Sequence, residues 1–275
     1  MAEQHALLIV APNGARITKE THSQVPLCPQ EMADDVQACV AAGAAMVHVH
    51  ARDAMGAHSL AVDDNDTMMS AVRERIGDAA IIQLTTEAVG RYQPVEQMQL
   101  IYELVPEAAS FSVRELVPNE RTEEAAATFF QWCYSQNIIA QYILYSSEDL
   151  RRYFDLLARG VIPSGRHHVL LVLGRYSQHL QSMPTDLLPL LSPDLLDSSL
   201  RWAVCAFGRQ EHRCLSTALS LGGDIRVGFE NNIYRPDGSL AQNNAEQVRR
   251  IADYAHALGR PLCSAATIRT QLSSI

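Results

Sequence analysis

The chain has 275 residues, of which 47% are hydrophobic, and a formal net charge of −9. That is enough apolar material to bury the core of one barrel-sized domain. A negative balance without any Lys/Arg cluster excludes nucleic acid and anionic membrane surfaces as partners, so an anionic ligand must be met by a few local arginines.

In chain order, short apolar runs predict strands at 7–12 (LLIVAP), 46–51 (MVHVHA), 80–86 (AIIQLTT), 109–113 (ASFSV), 138–144 (IIAQYIL), 168–174 (HVLLVLG), 201–207 (RWAVCAF) and 225–230 (IRVGFE). Between them lie PQEMADDVQACVAAGA, DDNDTMMSAVRERIG, PVEQMQLIYELV, TEEAAATFFQWCYSQN, SEDLRRYFDLLARG and RQEHRCLSTALSLGG, with apolar residues at three and four spacing. Several of these segments end in glycine, as a left-handed C-cap requires. Strand–helix alternation implies parallel strands joined by right-handed crossovers. Eight such units predict an α/β protein, a single (β/α)8 TIM barrel over 1–275. NAEQVRRIADYAHALG is then the last outer helix, and RPLCSAATIRTQLSSI a short C-terminal tail. The competing open doubly wound sheet lacks both a G-x-G-x-x-G and a phosphate-binding G-x-x-x-x-G-K-[ST].

No run reaches membrane-spanning length, and the apolar stretch 6–12 lacks the basic flank of a signal peptide. Six cysteines without Cys-x-x-Cys spacing point to reduced thiols and a cytoplasmic enzyme. Lys19 is the only lysine, so a Schiff-base mechanism has one candidate, placed in the first loop rather than late on an inner strand.

In a barrel, chemistry sits where strands end and loops begin. Alternation puts His48, His50 and Arg52 on one face of the second strand. A lone strand histidine is usually a hydrogen-bonded core residue. Two inward imidazoles are costly to bury unpaired and together favour a metal. The eighth strand neighbours the first in a closed barrel, and it offers Arg226, Gly228 and Glu230 on one face. Glu230 is the natural third ligand, although a solvated loop carboxylate is the plain alternative. Gly228 is expected to leave room beneath it, and Arg226 to hold an anion. Two histidines, a carboxylate and an open position suit catalytic zinc, with ferrous iron or manganese as lesser options. Thr85 and Glu87 on the third strand, Ser110, Ser112 and Arg114 on the fourth, and Arg16 in the first loop point toward the same mouth.

The blocks VAPNGARITK, AGAAMVHVHARD, QLTT, GGDIRVGFENN and DGSLAQNNAEQV, in that order, resemble the β-keto acid cleavage enzymes, typified by 3-keto-5-aminohexanoate cleavage enzyme. The resemblance runs from the first strand to the last helix. It implies a zinc-dependent barrel, a homo-oligomer such as a dimer or tetramer. Such an enzyme condenses a β-keto acid with acetyl-CoA and cleaves the product to acetoacetate and a new acyl-CoA. It also implies that His48, His50 and Glu230 hold the metal, that Thr85 faces the developing oxyanion, and that Arg226 holds a carboxylate or tunes a base. Ser112 and Arg52 are further expected substrate contacts.

This chain departs from the family pattern at several blocks. Asn231 stands where the family carries an aspartate base, and an amide is no base at neutral pH. Glu87 and Ala88 replace a glycine pair, VRELVP replaces a small-residue loop, and AQYILY stands where glutamates are usual. Glu87 is therefore the expected replacement base. Arg16, standing where the enzyme for an amino-substituted acid has a glutamate, is expected to face an anionic substrate tail. Two alternatives stay open: another metal-dependent lyase or hydrolase on the same barrel, and a non-catalytic metal- or ligand-binding relative.

Overall fold

The structure is a computed structural model that describes residues 5–198 and 200–273. Its eight strands are β1 (Leu8–Val10), β2 (Met46–Val49), β3 (Ile81–Leu84), β4 (Ala108–Ser112), β5 (Ile139–Leu144), β6 (His168–Leu173), β7 (Arg201–Ala206) and β8 (Asp224–Val227). Each pairs in parallel with the next, and β8 returns to β1 with Ile9 opposite Arg226, closing the barrel. All eight predicted strands are present. β1, β2, β3 and β8 stop before the predicted ends, so His50, Thr85 and Glu230 lie in loops just beyond the ladder.

The outer layer comprises α1 (Pro29–Ala41), α2 (Val62–Ile76), α3 (Pro94–Leu104), a one-turn α4 (Val113–Leu116), α5 (Glu123–Ser135), α6 (Ser147–Ala158), a one-turn α7 (Pro193–Leu196), α8 (Glu211–Ser220) and α9 (Asn244–Ala257). Side chains cap several of them: Ser146 accepts the Asp149 N–H at 3.2 Å, and Asn243 accepts that of Glu246 at 2.9 Å. One core lies between sheet and helices, where Phe111, Phe129, Phe130 and Tyr142 meet edge to face. The second fills the barrel itself, with Leu7, Ile9, Met46, Ile81 and Leu170.

The C-terminal segment corrects the prediction. Instead of a tail, Ala265–Leu272 forms a helix, α10, whose Ala265, Ile268 and Leu272 join the interior core and seal the bottom of the barrel. The segment's last two residues lie outside the described ones. Four apolar residues, two of them alanine, diluted among Thr, Arg and Gln give too weak a period to announce a buried face. Buried Arg201 fastens this end: it donates to Asp224 Oδ1 at 2.9 Å, to the His5 carbonyl at 2.8 Å and to Gln271. Leu7 N–H also donates to Asp224, at 2.7 Å.

The long β6–β7 connection holds 3-10 turns at Gln178–Leu180 and Pro184–Leu190 and carries Arg175 and Gln181 to the cavity rim at the opposite, C-terminal end of the barrel. Lys19 is on the exterior, paired with Glu31 at 2.8 Å, which removes the Schiff-base option. Among the described residues no helix is long and apolar enough to cross a membrane.

Candidate active site

A cavity of about 360 Å³ opens at the C-terminal ends of the strands. Of the residues singled out above, Arg16, His48, Thr85, Glu87, Ser110, Ser112, Arg226, Glu230 and Asn231 all line it. His50 is fully buried beside His48, with ring centroids 4.8 Å apart.

Donor atoms of His48, His50 and Glu230 lie within 4.8 Å of one another. His50 Nε2 is 3.0 Å from His48 Nε2 and 3.2 Å from Glu230 Oε2. Three ligand atoms this close together, with Glu230 Oε2 buried and without a hydrogen bond among the described residues, fit a divalent cation. His48 Nδ1 sits 2.8 Å from Gln83 Oε1. An amide oxygen only accepts, so Nδ1 carries the proton and Nε2 is left free as a ligand. Burial holds the His48 imidazole well below its usual range, keeping it neutral. Burial alone would raise the Glu230 carboxyl, but Arg226 and the two histidines outweigh it and hold it well below the usual carboxylate range.

The local backbone explains how Glu230 gets there. Gly228, at φ +136°, follows β8; a Cβ there would overlap the Ala11 carbonyl oxygen, so this glycine admits the neighbouring strand's backbone. The room for Glu230 comes instead from Gly14, at φ +56°, where a Cβ would lie 2.5 Å from Glu230 Cγ. This corrects the role expected of Gly228. Asn244, at the start of α9, staples the two loops: its Oδ1 accepts the Phe229 N–H at 2.8 Å, and its Nδ2 donates to the Pro12 carbonyl at 3.1 Å. Asn13 Nδ2 likewise donates to the His50 carbonyl at 2.8 Å.

The other polar groups divide between wall and scaffold. Arg226 donates to Glu230 Oε1 at 2.7 Å and reaches Cys205 Sγ at 3.4 Å. Burial pushes the Cys205 thiol up to about 11, so it is no nucleophile. Ser110 Oγ and both polar atoms of the Asn231 side chain are buried without a partner among the described residues. Thr85 Oγ1 accepts the Glu87 N–H at 3.0 Å and keeps its own proton to donate. Glu87 lies among three cations or potential cations: Arg175 Nη2 at 3.2 Å, Arg16 Nη2 at 3.9 Å and His50 Nδ1 at 3.9 Å.

Arg52 does not reach the cavity. Its guanidinium is taken up by the carbonyl oxygens of Gly14, Ile17 and Gly56, so it clamps the first loop where a substrate contact was expected. Arg114 also turns away, onto Asp149 at 2.6 Å. Among the cavity residues that were not anticipated are Arg175, Glu115 and Tyr145. Glu115 Oε2 accepts from Ala88 N–H and Gln97 Nε2, both at 2.9 Å, and burial raises its carboxyl. The block VRELVP was recognisable as unusual, but nothing in it marked Glu115 over Arg114.

Residues 5–273 match the family described as beta-keto acid cleavage enzyme. A 3-keto-5-aminohexanoate cleavage enzyme from Fusobacterium nucleatum is 28% identical over 272 residues, covering 97% of each chain. A 3-oxoadipate:acetyl-CoA acetyltransferase from Cupriavidus necator is 25% identical, covering 98% of this chain and 95% of its own. In fold, the apo structure of ObcA superposes with a TM-score of 0.69 at 20% identity, over 92% of this chain and 66% of that one. With a family match spanning the barrel from first strand to last helix, this chain belongs to the β-keto acid cleavage enzymes.

Proposed function

We propose that the protein is a zinc-dependent enzyme that condenses a β-keto acid with acetyl-CoA and cleaves the product to acetoacetate and a new acyl-CoA. The observation that carries this reading is the convergence of His48, His50 and Glu230 at the cavity floor. Those three residues would hold the metal, and a bound divalent ion supplies Lewis acidity toward the oxygens of a β-keto acid.

The chain's own groups supply the rest. Neutral His48, with Nδ1–H fixed on Gln83, keeps its orientation without a charge of its own. Arg226, immobilised by Glu230, presents a guanidinium beside the site for the substrate carboxylate. Glu87 takes a proton from the carbon between the two carbonyl groups of the substrate, the role that Asn231 is unable to fill. The hydroxyls of Thr85, Ser110 and Ser112 and the amide of Asn231 face the cavity and donate hydrogen bonds to oxygens that gain negative charge. Arg16 stands at the rim, more than half exposed, toward the far end of the substrate.

Carbon-13 in the acetyl group of acetyl-CoA tests this. Metal-loaded protein, its metal identified by elemental analysis, is expected to move the label into acetoacetate with at least one member of a β-keto acid panel. Glu87→Gln is expected to abolish turnover while leaving the metal bound. Absence of labelled acetoacetate across the panel would assign the barrel to another lyase or hydrolase chemistry, or to binding alone. Near-normal rates in the Gln variant would remove Glu87 as base.

A further inference from the structure

Arg175 has no place in the chemistry described so far, yet it is built into the cavity wall. It follows β6 directly after Gly174, whose φ of +81° turns the chain, and a Cβ at Gly174 would lie 2.8 Å from the Gln181 carbonyl oxygen. Its side chain is only 17% exposed. The guanidinium carbon lies 5.4 Å from the centroid of the Phe207 ring, which fixes its plane.

The donors of this group are largely unused. A guanidinium carries five N–H donors. Among the described residues Arg175 makes one hydrogen bond, to Glu87 Oε1 at 3.2 Å, and Arg16, 3.9 Å from the same oxygen, makes none. Two guanidinium groups thus share one carboxylate oxygen within one cavity. The wall nearby is Ile143, Val172 and Phe207, which offer no countercharge. Glu115, also on this wall, has Oε2 committed to Ala88 and Gln97. From Arg175 to the metal donors the path takes two contacts, through Glu87 to His50, so a short-chain ligand spans it.

We propose that Arg175, together with Arg16, forms a carboxylate-binding subsite for the far end of the substrate, so that the preferred substrate is a β-keto dicarboxylate. Planar guanidinium donors match a carboxylate in pairs, whereas a neutral tail leaves them desolvated and unpaired. This rests on the reading that the metal site holds the keto-acid end. The same donors could instead meet the phosphates of CoA, and the experiment separates the two anions.

Metal-loaded wild type is compared with Arg175→Gln, Arg16→Gln and the conservative Arg175→Lys. The substrates are 3-oxo diacids and 3-oxo monoacids of equal chain length, each with acetyl-CoA and with acetyl-pantetheine, which lacks the nucleotide phosphates. The wild type is expected to favour the diacid in kcat/KM, and Arg175→Gln to reduce the diacid-to-monoacid ratio by about 10- to 100-fold, the loss of a charged hydrogen-bond pair. Arg175→Lys should retain part of the preference. An unchanged ratio in Arg175→Gln, or a rise in KM confined to acetyl-CoA and absent with acetyl-pantetheine, would overturn the proposal. Calorimetry with glutarate and butyrate reads the subsite without turnover. Glutarate should bind more tightly to wild type, and equal binding of the two would sink the subsite. If glutarate is selected through Arg175 while no keto acid turns over, the subsite stands and the reaction reading fails.

Discussion

Glu211 makes a prediction that stability measurements can decide. It opens α8, is 3% exposed, and its Oε2 accepts from Asn232 Nδ2 at 3.0 Å in the loop that follows Glu230. Burial pushes its carboxyl up from 4.5 to about 8, with Asn232, Arg226 and the Gly228 backbone opposing only in part. The folded state therefore keeps a proton that the unfolded chain releases above pH 4.5. The stabilising contribution is complete below that pH, declines by about 1.4 kcal/mol per pH unit, and is exhausted as pH passes the folded value. The accumulated loss is about 5 kcal/mol, a large part of the stability of an ordinary domain. Glu211→Gln is neutral at every pH and near in shape. Its urea-unfolding free energy is expected to gain on wild type by about 1.4 kcal/mol per unit from roughly pH 5 to 8, then level off. Asp35, raised to about 7 by burial, adds the same trend to both proteins and cancels in the difference. Parallel stability curves for the two proteins would refute the argument.

Two further perturbations address the metal site. Gln83→Leu removes the acceptor that fixes the His48 proton on Nδ1; metal affinity, read by competition with a chelating dye, is expected to fall about 10- to 100-fold with the fold retained by circular dichroism. Gly14→Ala forces a Cβ to within 2.5 Å of Glu230 Cγ at a positive φ, and should displace the carboxylate. Bound metal per chain should drop more in Gly14→Ala than in Gly56→Ala, where φ is also positive but a Cβ meets nothing within 4 Å.

The barrel was legible because strand–helix alternation repeats along nearly the whole chain, and the metal ligands because closure makes β8 a neighbour of β1. Alternation failed at Arg52: β2 ends at Val49, and beyond the ladder a side chain no longer follows the pleat, so the guanidinium turned to loop carbonyls. β8 likewise ends early, at Val227, which leaves Glu230 in a turn made possible by Gly14, a residue more than two hundred positions away in sequence. Such spacing carries no local signal. Arg175 and Glu115 were equally silent, since their roles depend on which loops fold over the mouth. α10 was missed because eight residues with four apolar positions, two of them alanine, become a plug only when an open barrel end needs filling.

The closing strand pair gives the three ligands a second significance. His48 lies on β2 and His50 just past its end, Glu230 lies in the loop that follows β8, and β1 lies between them and contributes no ligand. β1–β8 is the seam at which the first and last strands meet, and β1 is only three residues long. An ion held by these groups would reach across that seam like a clasp, linking positions near the two ends of the chain through side chains over a strand that is itself short. Any cation that binds the folded barrel alone draws the equilibrium toward the folded state. Here it does so across the sheet's shortest strand, at the seam that closes the barrel.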